Sequence, residues 1–256
     1  MPNTHCADCP GRTQHLFLQA VSKVRGIMKR RIQVDTIILF LVLILTGILY
    51  QFNDLYTKNI FLDDSLDFIG FQMILAGVSL RMSARGHKKA RSDKGQELVM
   101  TGPYRLVRNP MYLGSFLIGT GFILIGWPWF LVWIFLYLFA MRFNRQMKKE
   151  EDCLHKNFGK TYEAYVENVP KFFPRWSDLK KMRFTEIFPL SDIWNTSEKR
   201  GLILFPLLAF GVELVRERVA FGSVDIERTA SIFVLSTIIF WAVIWGCSRR
   251  GIQEQQ

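Results

Sequence analysis

Cysteine is scarce in this sequence, acidic charge is in deficit, and charge of either sign is missing from several long stretches. Each shortage excludes something. The 256 residues include four cysteines, Cys6, Cys9, Cys153 and Cys247. His5-Cys6-Ala7-Asp8-Cys9, with His15 nearby, is half of a zinc-ligand pattern, and no second pair completes a closed tetrahedral site. No metal is expected. Disulfides are disfavoured on the cytosolic side, where these residues are placed below. The polar, basic leader over 1–33 lacks the apolar core and small-residue cleavage site of a secretory signal. Asp and Glu total 22 against 33 Lys and Arg, a formal charge of +11, while half of the residues are hydrophobic. No base-reading motif accompanies the basic residues, so nucleic acid is not an expected partner. A multi-span membrane protein produces this pairing of basic charge with high hydrophobicity.

What is present is a series of apolar runs. A crossing needs ~20 mainly apolar residues for ~30 Å of hydrocarbon. Thr36 to Asn53 is free of charge, and so is Asn109 to Met141, which is long enough for two shortened spans. Gly126-Trp127-Pro128 divides the latter: Gly relaxes the backbone, Pro lacks an amide hydrogen, and Trp suits the headgroup level. Helices over Pro110 to Ile125 and Trp129 to Met141, joined by a tight turn, follow. Leu66 to Leu80 carries Asp67, Gly201 to Val215 carries Glu213, and Thr229 to Cys247 is uncharged. The expected fold is all-α: a multi-pass helical membrane protein of about six transmembrane helices.

Loop charges orient it, because Lys and Arg are retained on the cytosolic side. The segments before Thr36, from Arg81 to Arg108, from Arg142 to Arg200, and after Cys247 are rich in them. The loop from Asp54 to Asp67 has Lys58 against Asp54, Asp63, Asp64 and Asp67. Six spans with both termini in the cytosol satisfy every loop, in the inner membrane of a bacterium or the endoplasmic reticulum of a eukaryote. The organisation expected is a leader (1–33), two spans with a basic loop (34–95), a core containing the hairpin and its cytosolic motif (96–176), an amphipathic interfacial stretch (177–200), and two further spans with a tail (201–256). Trp176, Phe184, Phe188 and Trp194 alternate with Lys180, Lys181 and Arg183 in that stretch, as suits a helix lying on headgroups.

The hairpin returns the chain to the side it left, bringing two polar segments together. Gly102-Pro103 stops a preceding helix, and Asn109-Pro110 starts the next, with Asn as a cap and Pro in the first turn. Tyr104, Arg105 and Arg108 then lie near a helix N-terminus whose free amides favour an anionic or carbonyl-bearing ligand. The plainer alternative is that the tyrosines anchor the interface and the arginines follow the topology rule. Beyond the apolar part of the fourth helix, Arg142, Gln146 and Glu150 fall on one face at steps of four. Phe158-Gly159 ends that helix, and Tyr162 and Tyr165, then Val169-Pro170 and Phe172-Phe173-Pro174, follow as a small candidate aromatic lid.

Thr101-Gly-Pro-Tyr104, Val107-Arg-Asn-Pro-Met-Tyr-Leu-Gly114, Glu150-Glu151 to Leu154, Phe158-Gly159, Tyr162 to Tyr165 and Val169-Pro170 occur in that order. The series resembles the C-terminal half of the isoprenylcysteine carboxyl methyltransferase family and its phospholipid methyltransferase relatives, over roughly Gln96 to Pro174. The resemblance implies an integral membrane enzyme that binds S-adenosylmethionine in a cytosol-facing C-terminal catalytic region, without a Rossmann domain, and takes a lipid-like or amphiphilic acceptor from the bilayer. The cofactor pocket implied comprises Gln96, Leu98, Val99, Tyr104, Asn109, Pro110, Met111, Tyr112 and Glu150. Gln146, Arg142 and Arg145 would approach the acceptor, and Glu151 is the nearest candidate base. Two departures count: Asn109 stands where the family commonly has His and so cannot exchange protons near neutral pH, and Gln146 stands where the family places an acceptor-contacting Arg. The second makes an amine, thiol or hydroxyl acceptor more plausible than a carboxylate.

Two rival readings remain open. One is an NADPH-dependent membrane reductase like the sterol reductases, which share an Arg-x-Pro-x-Tyr-x-Gly motif but tend to follow its Gly with an acidic residue where Ser115 stands here. The other is a non-catalytic relative that binds a lipid.

Overall fold

A computed structural model describes residues 40–42, 44–92, 97–181, 187, 196 and 200–253. The Cys6/Cys9 leader, Gln96, and the residues Phe184, Phe188 and Trp194 of the interfacial stretch lie outside the described residues. The chain divides into two units, residues 1–51 and 52–256. In the first, the described structure is helix α1, Phe40–Leu49, an apolar helix whose large side chains are mostly exposed.

The second unit is helical throughout its described residues. A 3-10 turn, Asn53–Leu55, precedes α2 (Ile60–Arg91), α3 (Pro103–Leu106), α4 (Pro110–Gly126), α5 (Leu131–Asn168), α6 (Trp176–Lys181), α7 (Gly201–Phe221) and α8 (Ile226–Gln253). The helix positions follow the apolar runs, and the hairpin breaks where Gly126-Trp127-Pro128 predicts. Two lengths differ from expectation. α2 has 32 residues, about 48 Å at ~1.5 Å per residue, so the basic segment after Leu80 begins as helix rather than loop. α5 continues from its apolar half into the charged one without a stop until Gly159, whose φ of 48° interrupts the helical path.

α2 is the central helix. It packs on α4, α7 and α8, and α4 also meets α5 and α7. Phe71, Ile74, Val78 and Met82 of α2 form the core with Ile118 and Ile125 of α4 and Ala209 of α7. The α2–α4 contact is unusually close. A Cβ on Gly77 would lie 2.6 Å from the Gly114 carbonyl oxygen, and one on Gly114 equally near that of Gly77; Gly70 and Gly121 stand in the same relation, with Cβ–O distances of 3.0 and 2.6 Å. Gly70 meets Gly121 and Gly77 meets Gly114, so the helices run antiparallel with small residues one heptad apart, the arrangement that lets helix backbones touch.

α2 and the 21-residue stretch Ile226–Gly246 of α8 are long and apolar enough to cross a membrane. The apolar surface is not confined to them. Trp133, Tyr137 and Leu138 of α5, Ile203, Leu204 and Leu207 of α7, and Val234, Ile238 and Trp245 of α8 are all exposed. Contiguous exposed apolar faces on this scale belong to an interface with lipid or another protein.

Asp63 and Asp67, read above as residues of an acidic external loop, sit fully buried inside α2. The guanidinium of Arg216 on α7 binds Asp63 at 2.6 Å, Asp67 at 3.0 Å and Glu213 at 2.6 Å. Arg228 of α8 adds contacts to Asp64 at 2.6 Å and Asp63 at 3.2 Å. Glu217 accepts from the Thr229 hydroxyl and the Asp225 amide, both at 3.1 Å. The carboxylates of Asp63, Asp67 and Glu213 converge as metal ligands would, but the Arg216 guanidinium already bridges them. The cluster is a clasp that holds α7 and α8 onto α2.

Candidate functional site

Thr101-Gly102 is fastened to the end of α2. Arg91 Nη1 lies 2.7 Å from His87 Nδ1, and arginine can only donate. The imidazole proton is therefore on Nε2, which donates to Thr101 Oγ1 at 2.9 Å. Gly102 has φ 61°, and a Cβ there would meet the His87 ring at 2.5 Å. Both the backbone and the space require glycine. Gly102→Ala is expected to lower stability by about 1–3 kcal/mol, measured by denaturation of the detergent-purified protein; an unchanged midpoint would show that the segment is not held as described.

From this anchor α3 carries Tyr104, and Asn109-Pro110 opens α4 with Pro at its start. Asn109 does not cap the helix with its side chain as expected. Its Nδ2 donates instead to the Lys171 carbonyl at 3.2 Å. The segment after α5 thus returns to the motif, and two more bonds hold it there: Arg108 N to Pro170 O at 2.9 Å and the Tyr165 hydroxyl to the Tyr104 carbonyl at 2.6 Å. The turn at Gly159 redirects the end of α5 and permits this. Beyond it Tyr162, Tyr165 and Val169 pack with Leu98.

The two glutamates diverge. Glu150, exposed on α5, accepts from the Tyr112 hydroxyl of α4 at 2.6 Å and from Gln146 Nε2 at 2.9 Å, both on Oε1. The second bond is the four-residue step read in the sequence. Burial, and then the negative charge of Glu150, raise the Tyr104 pKa well above the ordinary phenol value, so this hydroxyl remains a donor beside the carboxylate. Glu151 turns to the returning segment, pairing with Arg108 Nη1 at 3.3 Å and Lys171 Nζ at 3.1 Å. The first contact is an ion pair and not a hydrogen bond: Glu151 Oε1 and Arg108 Nε are buried without a hydrogen-bond partner among the described residues. Burial, and then the charge of Glu151, also raise the Tyr162 pKa.

Of the expected site residues, Tyr104, Tyr112, Gln146 and Glu150 are therefore brought together, with Asn109, Pro110 and Met111 in the adjoining first turn of α4 and Leu98 and Val99 on the strand of chain leading into Thr101. Arg142 and Arg145 lie exposed one turn or more before Glu150. Next to Tyr112 is an aromatic cluster. Tyr112 meets Phe143 edge-on at 5.3 Å, and Phe116 meets Phe139, Phe172 and Phe173 at 5.2 to 6.0 Å. The Phe172-Phe173 segment expected as a lid is thus packed into this ring cluster beside the polar group. Sequence reading missed Lys171, which no motif marks, and the fastening by His87, whose partner is 14 residues away.

The polar end of the α4–α5 hairpin thus combines a carboxylate, two phenols and an amide beside a cluster of aromatic rings. Residues 68–161, less than half of the chain, match the family described as phospholipid methyltransferase, and the resemblance read from the motifs over Gln96 to Pro174 shares residues 96–161 with that match. The chain is 33% identical over 84 residues to the nickel-cobalt-cadmium resistance protein NccN of Alcaligenes xylosoxydans xylosoxydans, covering 33% of this chain and 39% of that protein. It is 29% identical over 90 residues to the mouse (Mus musculus) Delta(14)-sterol reductase TM7SF2, covering 34% of this chain and 21% of that one. The matches therefore span about two fifths and one fifth of the length of these relatives. No solved structure matches.

Proposed function

We propose that this chain is an S-adenosylmethionine-dependent methyltransferase embedded in a membrane, acting on an amphiphilic or lipid-like acceptor at the cytosolic mouth of the α4–α5 hairpin. The observation that carries this reading is the convergence of Tyr112, Gln146 and Glu150 beside Tyr104, within the segment that matches the methyltransferase family. The exposed apolar faces of α5, α7 and α8 support a bilayer setting, with six crossings if α1, α4, α5 and α7 join the two longer helices. The basic ends Arg81–Arg91 and Arg142–Lys160 would then face the cytosol.

The residues present fit such a cofactor. Glu150 is a solvent-facing carboxylate whose hydrogen bonds both end on Oε1, which leaves Oε2 to accept from ribose hydroxyls or face an ammonium group. Tyr104 and Tyr112 are aromatic surfaces that a cation would approach favourably. The bound cofactor supplies a methyl group already activated by its sulfonium. The chain's task is therefore to align donor and acceptor and to exclude water. The Phe116, Phe139 and Phe172 cluster offers a dry wall for an acceptor's apolar part. Asn109 and Glu151 are positioning residues in this reading: one braces the returning segment through Lys171, and the other latches it between Arg108 and Lys171. Glu151, expected as a base, has its charge committed to those two cations.

Glu150→Ala should weaken S-adenosylhomocysteine binding by roughly tenfold to a hundredfold, the worth of ~1.5–3 kcal/mol for hydrogen bonds to a charged group, with the unliganded unfolding midpoint unchanged. Isothermal titration of the detergent-solubilised protein reads the first quantity. Undiminished affinity would remove Glu150 from the cofactor site. The similarity to a sterol reductase keeps one rival: stabilisation by NADPH, with none from S-adenosylhomocysteine, would favour the reductase, since a ligand stabilises the state it binds.

A further inference from the structure

A cavity lies on the face of α4 opposite the hairpin site. Tyr112 and Phe116 face α5, whereas Gly114 and Ile118 face α2, and between α2, α4 and α7 is a cavity of about 260 Å³. Val78, Met82, Ile118 and Phe205 line it, and Arg81 and Arg200 are also on its wall. Val78, Met82 and Ile118 belong to the packed core, so these walls are pre-formed. Arg81 is half-buried, and its Nη1 donates to Ser115 Oγ of α4, which holds it in place. Arg200 is exposed at the start of α7. The volume falls below the ~300–1,000 Å³ of sites that take drug-sized ligands, too little for a whole nucleoside sulfonium but enough for part of a single hydrocarbon chain. Leu204, also on the wall, is itself exposed, as are its neighbours Ile203, Leu207 and Leu208, so the cavity opens sideways along an apolar face.

Apolar walls with two arginines among them describe an amphiphile with a negative head. Arginine forks match phosphate oxygens, and the chain below them is kept from water. We propose that this cavity is a binding site for an anionic phospholipid, one acyl chain lying against Val78, Ile118 and Phe205 and the phosphate held by Arg81 and Arg200. The site is distinct from the hairpin mouth, and four of its wall positions, Arg200, Gly201, Leu204 and Phe205, lie outside the segment that matches the methyltransferase family. The inference rests on the membrane reading above and not on the methyl-transfer one.

The test uses the full chain in a neutral detergent, titrated with dioctanoyl phosphatidylglycerol, dioctanoyl phosphatidylcholine or inorganic phosphate, with the unfolding midpoint as readout. Phosphatidylglycerol should act at about tenfold lower concentration than phosphatidylcholine, a difference of ~1.4 kcal/mol, and phosphate alone should not shift the midpoint. Arg200→Gln should abolish the preference while its unliganded midpoint matches that of the parent, and Leu204→Trp, which fills the cavity, should weaken both lipids. Equal response to the two lipids, an undiminished preference in Arg200→Gln, or a full response to phosphate alone would overturn the proposal. A normal S-adenosylhomocysteine titration alongside a failed lipid titration would overturn the lipid site and leave the methyltransferase reading standing; the reverse pattern would do the opposite.

Discussion

Arg216→Met is expected to destabilise the protein by about 3–5 kcal/mol, the cost of removing one partner from a buried ion pair and leaving the other charged. The case is stronger than for a single pair. Arg216 binds three carboxylates that are 1 to 3% exposed, and its loss would leave Asp63, Asp67 and Glu213 facing one another, with Arg228 reaching Asp63 only at 3.2 Å. A charge in this position is costly to hold in an apolar bundle and persists because the cluster answers it. The variant should unfold at markedly lower denaturant or temperature in detergent. Adding Asp63→Asn, Asp67→Asn and Glu213→Gln to Arg216→Met should recover part of the loss, since the uncompensated charges are then gone. A stability within about 0.5 kcal/mol of the parent, the range of an ordinary surface substitution, would show that the cluster is solvated and not a clasp.

The clasp also shows why part of the fold could be read from the sequence and part could not. Charge-free runs place α4, the apolar half of α5, and α8, because burying backbone polar groups in an apolar setting leaves helices as the economical solution. Gly126 to Pro128 locates the hairpin because its cause is local. Asp63 and Asp67 differ for the opposite reason: their partner is about 150 residues away, so the sequence shows only their charge, which by itself points to exposure. The spacing of four between them, and of three and four from Glu213 to Arg216 and Glu217, places each set on one helix face, but nothing in either segment says that the faces meet.

The candidate site divides in the same way. Tyr104, Tyr112 and Glu150 could be named from the ordered motifs, and the Gln146–Glu150 bond from helical spacing. The separate directions taken by Glu150 and Glu151 were not apparent, because two neighbours on a helix differ by about 100° and only the partners decide which one meets the ligand side. Lys171 and Asn109 act as braces because the turn at Gly159 redirects the chain toward the motif. A glycine near the end of a helix can mean a stop or a bend, and here the helix resumes at once.

Gly114→Leu should be the other severe substitution, because its Cβ would fall 2.6 Å from the Gly77 carbonyl and 3.1 Å from the backbone nitrogen of Arg81. These are backbone atoms of a packed helix, so a rotamer change cannot relieve the clash and α2 and α4 must separate. Overpacking of a close interface costs about 1–3 kcal/mol, occasionally more, and separation would also disturb Ile118 and the core around Ile74 and Val78. The size of side chain should order the damage, Gly114→Ala before Gly114→Leu. The same reasoning predicts coupling. Once Gly114→Ala has pushed the helices apart, Gly77→Ala meets a gap already opened, so the double variant should lose less than the two single losses added together, by about 0.5 kcal/mol or more. Denaturation of the four proteins in one detergent measures this cycle. Strict additivity would mean that the two glycines do not share a contact, and the antiparallel pairing of α2 with α4 would have to be redrawn.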